Sequence, residues 1–132
     1  MGAPRGLILL QARQSSSRLP NKVLAELGAI QIVILAAKRA INTGLPIRVL
    51  VPDNNQNADL RQVLERNRLP FFAGSELDVL ERFHRAIEDV SDDTIVLRLT
   101  ADNVFPDGHF LDQMIEKFVK IDSEYLGINY EN

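Results

Sequence analysis

The segment that decides the fold is Leu10-Gln11-Ala12-Arg13-Gln14-Ser15-Ser16-Ser17-Arg18-Leu19-Pro20-Asn21-Lys22, together with the apolar residues 6–12 that lead into it. The apolar run is typical of a buried strand, and the residues after it supply three cations and three hydroxyl groups. No acidic residue lies between Arg13 and Lys22, although the chain has 18 acidic and 15 basic residues. A local positive field in a net-acidic protein favours small polyanions. We therefore predict a phosphate-binding loop where the first strand ends.

Composition limits the kind of protein. The chain has 132 residues, 45% of them apolar and 25% charged, which is typical of one globular domain. The formal net charge of -3 and the absence of a long basic face argue against nucleic acid as a partner, because such binding neutralises many phosphates. There is no cysteine, so disulfides and thiolate zinc sites are excluded. The N-terminal apolar run is too short for a signal peptide or a membrane span, so we expect a cytoplasmic protein without membrane insertion.

The order of elements predicts the fold class. Short apolar or β-branched runs predict strands at residues 6–12, 47–51, 69–73 and 94–100, with 125–130 as a candidate fifth strand. Helical periodicity predicts helices at residues 57–67, 78–90 and between 110 and 119. Residues 30–41 are apolar around most of a helix, which then belongs either to the core or to an interface. Strands alternating with helices predict an α/β fold, a three-layer αβα arrangement with a mostly parallel, Rossmann-like sheet.

The predicted topology brings a carboxylate to the same crevice as the cationic loop. In open α/β sheets a ligand lies beyond the carboxyl ends of the strands where the strand order reverses, which in a 3-2-1-4 order is between the first and fourth strands. The fourth strand runs into Arg98-Leu99-Thr100-Ala101-Asp102. A carboxylate beside a polyphosphate needs a bridging divalent cation, so Asp102 is the candidate ligand for Mg²⁺. The alternative for Asp102 is a helix N-cap or a turn residue.

Three segments resemble the nucleotide-sugar cytidylyltransferases, in particular the spore-coat polysaccharide branch related to the acylneuraminate and deoxyoctulosonate cytidylyltransferases. Residues 11–24 are similar to that family's Ala-Arg-x-x-Ser-x-Arg-Leu-Pro-x-Lys-x-Leu loop. Residues 72–83 are similar to a family segment near the nucleotide, and residues 98–102 to its metal-binding Arg-x-Thr-x-Asp. The first motif is fairly specific because several residue types recur at fixed offsets.

The resemblance implies a nucleotide-diphospho-sugar transferase type of fold and a reaction. A sugar hydroxyl attacks the α-phosphorus of CTP, with Mg²⁺ required, to give a CMP-sugar and pyrophosphate in surface polysaccharide biosynthesis. Arg13, Arg18 and Lys22 would be the catalytic groups that hold the triphosphate. The partners would be CTP and a sugar acceptor, with a homodimer as a further expectation. The other nucleotide-binding residues implied by the three motifs are Ala12, Ser16, Ser75, Asp78, Arg98 and Thr100.

Departures from the family pattern leave other functions open. Ser15 takes the place of the loop glycine, and residues 29–31, 51–53 and 103–104 also differ. The family extends roughly a hundred residues further, so we expect one nucleotide-binding domain over residues 1–132 that is a fragment or half of a larger transferase. A non-catalytic nucleotide-binding or assembly module is the second hypothesis. A receiver-like signalling domain, with Asp53 after a strand, is the third.

Each candidate residue also has an ordinary structural interpretation. Arg13, Arg18 and Lys22 could form a solvated loop without a specific partner. Ser75 resembles the start of a capping box, and Asp78 with Arg82 resembles an i,i+4 surface pair. Arg98 would need an ion-pair partner if it were buried. His84 and His109 have no spaced metal-ligand partner, and we assign them no role.

Overall fold

The computed structural model describes residues 6–103 and 106–127. The strands are β1 (Gly6–Gln11), β2 (Glu26–Leu27), β3 (Ile30–Gln31), β4 (Ile47–Pro52), β5 (Phe71–Gly74) and β6 (Ile95–Thr100). The helices are α1 (Ile32–Ala40), α2 (Ala58–Arg66), α3 (Val79–Ala86) and α4 (Gly108–Lys120). Short 3₁₀ turns occupy Lys22–Leu24, Ile41–Thr43 and Asn55–Asn57.

Four of the strands form one parallel sheet in the order β5-β4-β1-β6. In chain order of these strands this is the 3-2-1-4 arrangement, so the predicted reversal between the first and fourth strands is confirmed. β1 is central, with Ile8 in register with Ile47 of β4 and Leu97 of β6. β5 and β6 are the two edges of this sheet within the part of the chain that the structure describes.

Helices cover both faces of the sheet. Ile8 and Leu10 point into the larger cluster of buried side chains, which includes residues of α1, α2 and α4. Leu7 and Leu9 point to the other face, where Ala86 of α3 belongs to a smaller cluster. This alternation is the expected pleat of a strand buried on both sides. The three-layer α/β prediction is therefore confirmed. Nothing among the described helices combines the length and apolar character needed to cross a bilayer.

The predicted helix at residues 30–41 belongs to the core. Val33, Ala36, Ala37 and Ala40 are all fully buried in the larger cluster. Its first two predicted residues instead form β3, which pairs with β2 in an antiparallel hairpin that the sequence patterns did not predict. Gly28 has a φ of 65° in the turn of this hairpin, where a side chain would be strained.

Two other predictions need correction. The helix predicted at 78–90 ends at Ala86, and turns follow it. Of the candidate strand at 125–130, residues 125–127 have no strand structure, and residues 128–130 lie outside the described residues.

Candidate functional site

The cationic loop and the carboxylate meet at the carboxyl ends of β1 and β6. The Ala101 N–H donates to the Gln11 carbonyl at 2.9 Å, which continues the pairing past the strand ends. Lys22 Nζ lies 3.2 Å from Asp102 Oδ1, with the side chains 37% and 72% exposed. The juxtaposition predicted from the topology is confirmed. Asp102 lies in the turn after β6 and is not the N-cap of α4, because Asp107 accepts the His109 N–H there at 2.9 Å.

The loop after β1 folds back on itself. The Asn21 N–H donates to the Gln14 carbonyl at 2.9 Å, and Gln14 Nε2 donates to Asn21 Oδ1 at 3.0 Å. Asn21 has a φ of 59°, a left-handed conformation that asparagine tolerates better than most residues. Ser16 Oγ accepts the Leu19 N–H at 3.4 Å. The residues between Arg13 and Lys22 therefore form a closed loop with one cation before it and one after it.

Two guanidinium groups, one just before this loop and one within it, have no ion-pair partner among the described residues. Arg13 and Arg18 are both exposed, and no described carboxylate lies within ion-pair distance of either. Ala12 anchors the start of the loop, since its N–H donates to the Leu50 carbonyl at 3.0 Å and its methyl group is buried. The loop thus presents positive charge from a fixed backbone, which is the arrangement needed to bind an anion.

Glu76 links the three loops that follow β1, β4 and β5. Ser15 Oγ donates to Glu76 Oε1 at 2.5 Å, and Asn54 Nδ2 donates to Glu76 Oε2. Glu76 is not among the predicted site residues, although it lies within the second family-like segment, residues 72–83. The one sequence signal for Glu76 is its position between the predicted site residues Ser75 and Asp78. This carboxylate fixes the positions of the loops around the crevice.

The second family-like segment, residues 72–83, contains the start of α3. Asp78 is the N-cap of α3 and its Oδ1 accepts the Glu81 N–H at 2.9 Å, while Ser75 Oγ accepts the Asp78 N–H at 3.0 Å. Ser75 is therefore not the N-cap, which lies three residues later at Asp78. Both side chains stabilise the helix start.

Arg82 is buried and does not form the predicted surface pair with Asp78. Its side chain is 1% exposed, and one of its terminal nitrogens donates to the Ser75 carbonyl. Burial, and then the positive charge of Arg13, lower the pKa of the Arg82 guanidinium below its ordinary value, while Glu76 and Asp53 raise it. Arg82 therefore places a positive charge beneath the crevice.

Arg98 and Thr100 lie on the α3 side of β6. Arg98 is exposed, donates to Gln11 Oε1 at 3.2 Å and lies 5.2 Å from the centroid of the Phe83 ring. The predicted alternative of a buried ion pair for Arg98 is wrong, because no described carboxylate pairs with it. Thr100 is exposed and in register with Gln11 at the strand end.

Asp102 is the predicted metal ligand at this crevice, and among the described residues Glu76 is a second carboxylate that borders it. No group of three or more histidine, cysteine or acidic residues is placed there to hold a metal ion. Mg²⁺ commonly binds through one or two carboxylates and completes its shell with phosphate oxygens and water. An exposed carboxylate beside a cationic loop fits that requirement, provided that a phosphate ligand supplies the other oxygens.

Known proteins resemble this chain over most of its length. The profile of the family described as Cytidylyltransferase matches residues 7–130. The spore coat polysaccharide biosynthesis protein SpsF of Bacillus subtilis (strain 168) is 32% identical over 128 residues, covering 92% of this chain and 53% of that protein. The 3-deoxy-manno-octulosonate cytidylyltransferase of Stenotrophomonas maltophilia (strain R551-3) is 30% identical over 101 residues, covering 75% and 39%.

A solved structure shares the fold. The structure of a cytidylyltransferase from Leptospira borgpetersenii serovar Hardjo-bovis (strain JB197) superposes with a TM-score of 0.80 at 27% identity, covering 91% of this chain and 51% of the other. The chain therefore spans about half the length of the relatives it matches. With the profile matching nearly all of its residues, the chain belongs to the cytidylyltransferase family.

Proposed function

We propose that this chain forms the CTP-binding part of a cytidylyltransferase that joins CMP to a sugar hydroxyl and releases pyrophosphate. The observation that carries the proposal is the Lys22–Asp102 contact of 3.2 Å, made by a segment whose Arg13 and Arg18 are exposed and have no ion-pair partner among the described residues. Cations and a metal-binding carboxylate in one crevice are what a nucleoside triphosphate requires. The names of the similar proteins support a role in surface polysaccharide biosynthesis. We infer a cytoplasmic location, a sugar acceptor as second substrate, and a homodimer as the assembly.

The cations of the loop would hold the phosphates during transfer. Arg13 and Arg18 offer forked donors to phosphate oxygens, whereas Lys22 offers a point charge. These groups neutralise the charge that develops on the leaving pyrophosphate, which is the main demand that phosphoryl chemistry makes on a protein. The remaining contacts to the nucleotide would come from Ala12, Ser16, Ser75, Asp78, Arg98 and Thr100.

Asp102 would hold Mg²⁺ against the phosphates. When bound, the ion supplies neutralisation of phosphate charge and polarisation of the reacting phosphorus. In this structure Lys22 neutralises the same carboxylate. A bound triphosphate would draw Lys22 to its own oxygens and leave Asp102 for the cation.

A second candidate is nucleotide binding without turnover. It is favoured by the departures from the family pattern at residues 29–31 and 103–104. The receiver-like hypothesis is wrong, because the chain belongs to the cytidylyltransferase family.

The test is thermal unfolding of this chain with CTP, UTP, ATP or GTP, with and without Mg²⁺. A ligand at a hundred times its dissociation constant adds about 2.7 kcal/mol to the free energy of unfolding. We expect a Mg²⁺-dependent shift that is largest for CTP and is lost in Arg18→Ala and Asp102→Ala. Variants that bind CTP like the parent would refute the proposed site. Release of pyrophosphate by the full-length protein with a sugar acceptor would separate the enzyme from the binding module.

A further inference from the structure

Gln14 is the one buried residue of the cationic segment, residues 13–22. Its side chain is 6% exposed, whereas Arg13 before it is exposed. Its backbone N–H and C=O and its side-chain Oε1 and Nε2 are all hydrogen-bonded within the protein. At the surface, water could have satisfied these groups instead. The Gln14 N–H donates to Asn57 Oδ1 at 2.8 Å, Oε1 accepts the Leu60 N–H at 2.9 Å, and both Nε2 and the carbonyl bond to Asn21.

These contacts make Gln14 the N-terminal cap of α2 from a distant part of the chain. No side chain next to α2 in sequence caps it, although the first N–H groups of a helix need acceptors. Gln14 Oε1 accepts the N–H of Leu60, the third residue of α2, and the preceding Asn57 accepts the Gln14 N–H in return. Asn57 is fully buried and also donates to Asn54 Oδ1 at 2.6 Å. The loop and the helix therefore satisfy each other's buried donors.

We propose that Gln14 is a positioning residue that orders the phosphate loop, residues 14–21, before the ligand binds. Gln14 is the first residue of this loop and bonds to α2, and it also bonds to Asn21, the last residue of the loop. This inference rests on the proposed function. Arg13 immediately precedes the closed loop and Lys22 immediately follows it, so fixing both ends fixes the backbone from which both cations project. A loop that is ordered before the ligand arrives loses less conformational freedom on binding.

The main variant is Gln14→Met, which retains most of the buried volume but leaves the Leu60 N–H and Asn21 Oδ1 without partners. We expect CTP affinity in the presence of Mg²⁺, and affinity for inorganic tripolyphosphate, each to fall about tenfold. Amide hydrogen exchange at Leu60 and Asn21 should accelerate about tenfold in the absence of ligand.

The matched control is Asn67→Ala. Asn67 Nδ2 donates to the Val63 carbonyl at 2.8 Å at the opposite end of α2. This change removes one side-chain hydrogen bond from the same helix, and we expect CTP affinity to stay within about twofold of the parent. An equal loss of affinity in both variants would mean that Gln14 acts only through stability, which would overturn the proposal.

Two changes at Asn21 test the loop without disturbing α2, and they also serve if Gln14→Met does not fold. Asn21→Gly tolerates the φ of 59° and retains the Asn21 N–H but lacks the acceptor for Gln14 Nε2. We expect it to lower CTP affinity about fivefold. Asn21→Asp keeps an acceptor for Gln14 Nε2, so amide exchange in the loop should stay at the parental rate, whereas its negative charge should still lower CTP affinity. Parental affinity in Asn21→Gly and Gln14→Met would refute the positioning role. A parent that binds neither CTP nor tripolyphosphate would instead refute the proposed function, and hydrogen exchange would still show whether Gln14 orders the loop.

Discussion

Breaking the Lys22–Asp102 ion pair should affect metal binding and nucleotide binding in opposite directions. The two charges are 3.2 Å apart but both side chains reach solvent, so the pair contributes about 1 kcal/mol, the upper range for exposed pairs. In Lys22→Met the carboxylate no longer has this competitor, and its affinity for Mg²⁺ without nucleotide should rise about fivefold. The same variant loses a charge-assisted contact to phosphate, so CTP affinity at saturating Mg²⁺ should fall about tenfold or more.

The assay is isothermal titration of the parent and of Lys22→Met with Mg²⁺ alone and then with CTP at saturating Mg²⁺. The chain offers a matched control in Asp89→Asn. Asp89 forms an exposed pair with Arg48 at 2.9 Å, with side-chain exposures of 71% and 26%, and neither residue belongs to the candidate site. Asp89→Asn should leave both affinities at the parental values. The reasoning is refuted if Lys22→Met changes the two affinities in the same direction, or if the control changes them as much.

Three further predictions concern stability and titration. The hydrogen bond from Arg48 lowers the pKa of Asp89, so Arg48→Met should move that pKa up toward its ordinary value in an NMR titration. The stabilisation from this pair is present above the unfolded-state pKa of Asp89 and is lost as pH falls through the lowered folded-state pKa. In Arg48→Met the free energy of unfolding should therefore fall less steeply as the pH is lowered through this range. Gly108→Ala should lower the free energy of unfolding in urea by about 1–3 kcal/mol, because the new methyl group would lie 2.8 Å from backbone atoms of the residue 41–43 turn. Glu76→Ala should cost about 2 kcal/mol by the same measurement, since two loops lose a shared acceptor.

The sheet and its crevice were predictable from the sequence for a physical reason. Parallel strands buried on both faces appear as short continuous apolar runs, and the four predicted runs match β1, β4, β5 and β6 to within two residues at each end. Because β1 and β6 are neighbours with parallel carboxyl ends, the strand order predicted that the cationic loop and Asp102 meet, although not that Lys22 is the residue in contact.

The residues that organise the crevice were not predictable in the same way. Gln14 and Asn57 are 43 positions apart, and Ser15 and Glu76 are 61 apart, so neither pair has a local pattern. The type of a residue tells which hydrogen bonds its side chain can donate or accept, but not which distant residue the tertiary fold places beside it. Arg82 was misassigned because i,i+4 spacing suggested a surface pair. It lies one turn before the buried Ala86, on the face of α3 that packs inward.

The position of β6 at the edge of the sheet affects how binding to this chain will be measured. Among the described strands it pairs only with β1, and a polypeptide that added in register on its other side would extend the sheet. Asp102 follows this strand directly, within two residues of Thr100 at its end. Strand addition would therefore take place beside the ligand. If two copies joined in this way, self-association and ligand affinity would be thermodynamically linked, and a dissociation constant obtained in dilute solution would differ from one obtained at the concentrations used for NMR.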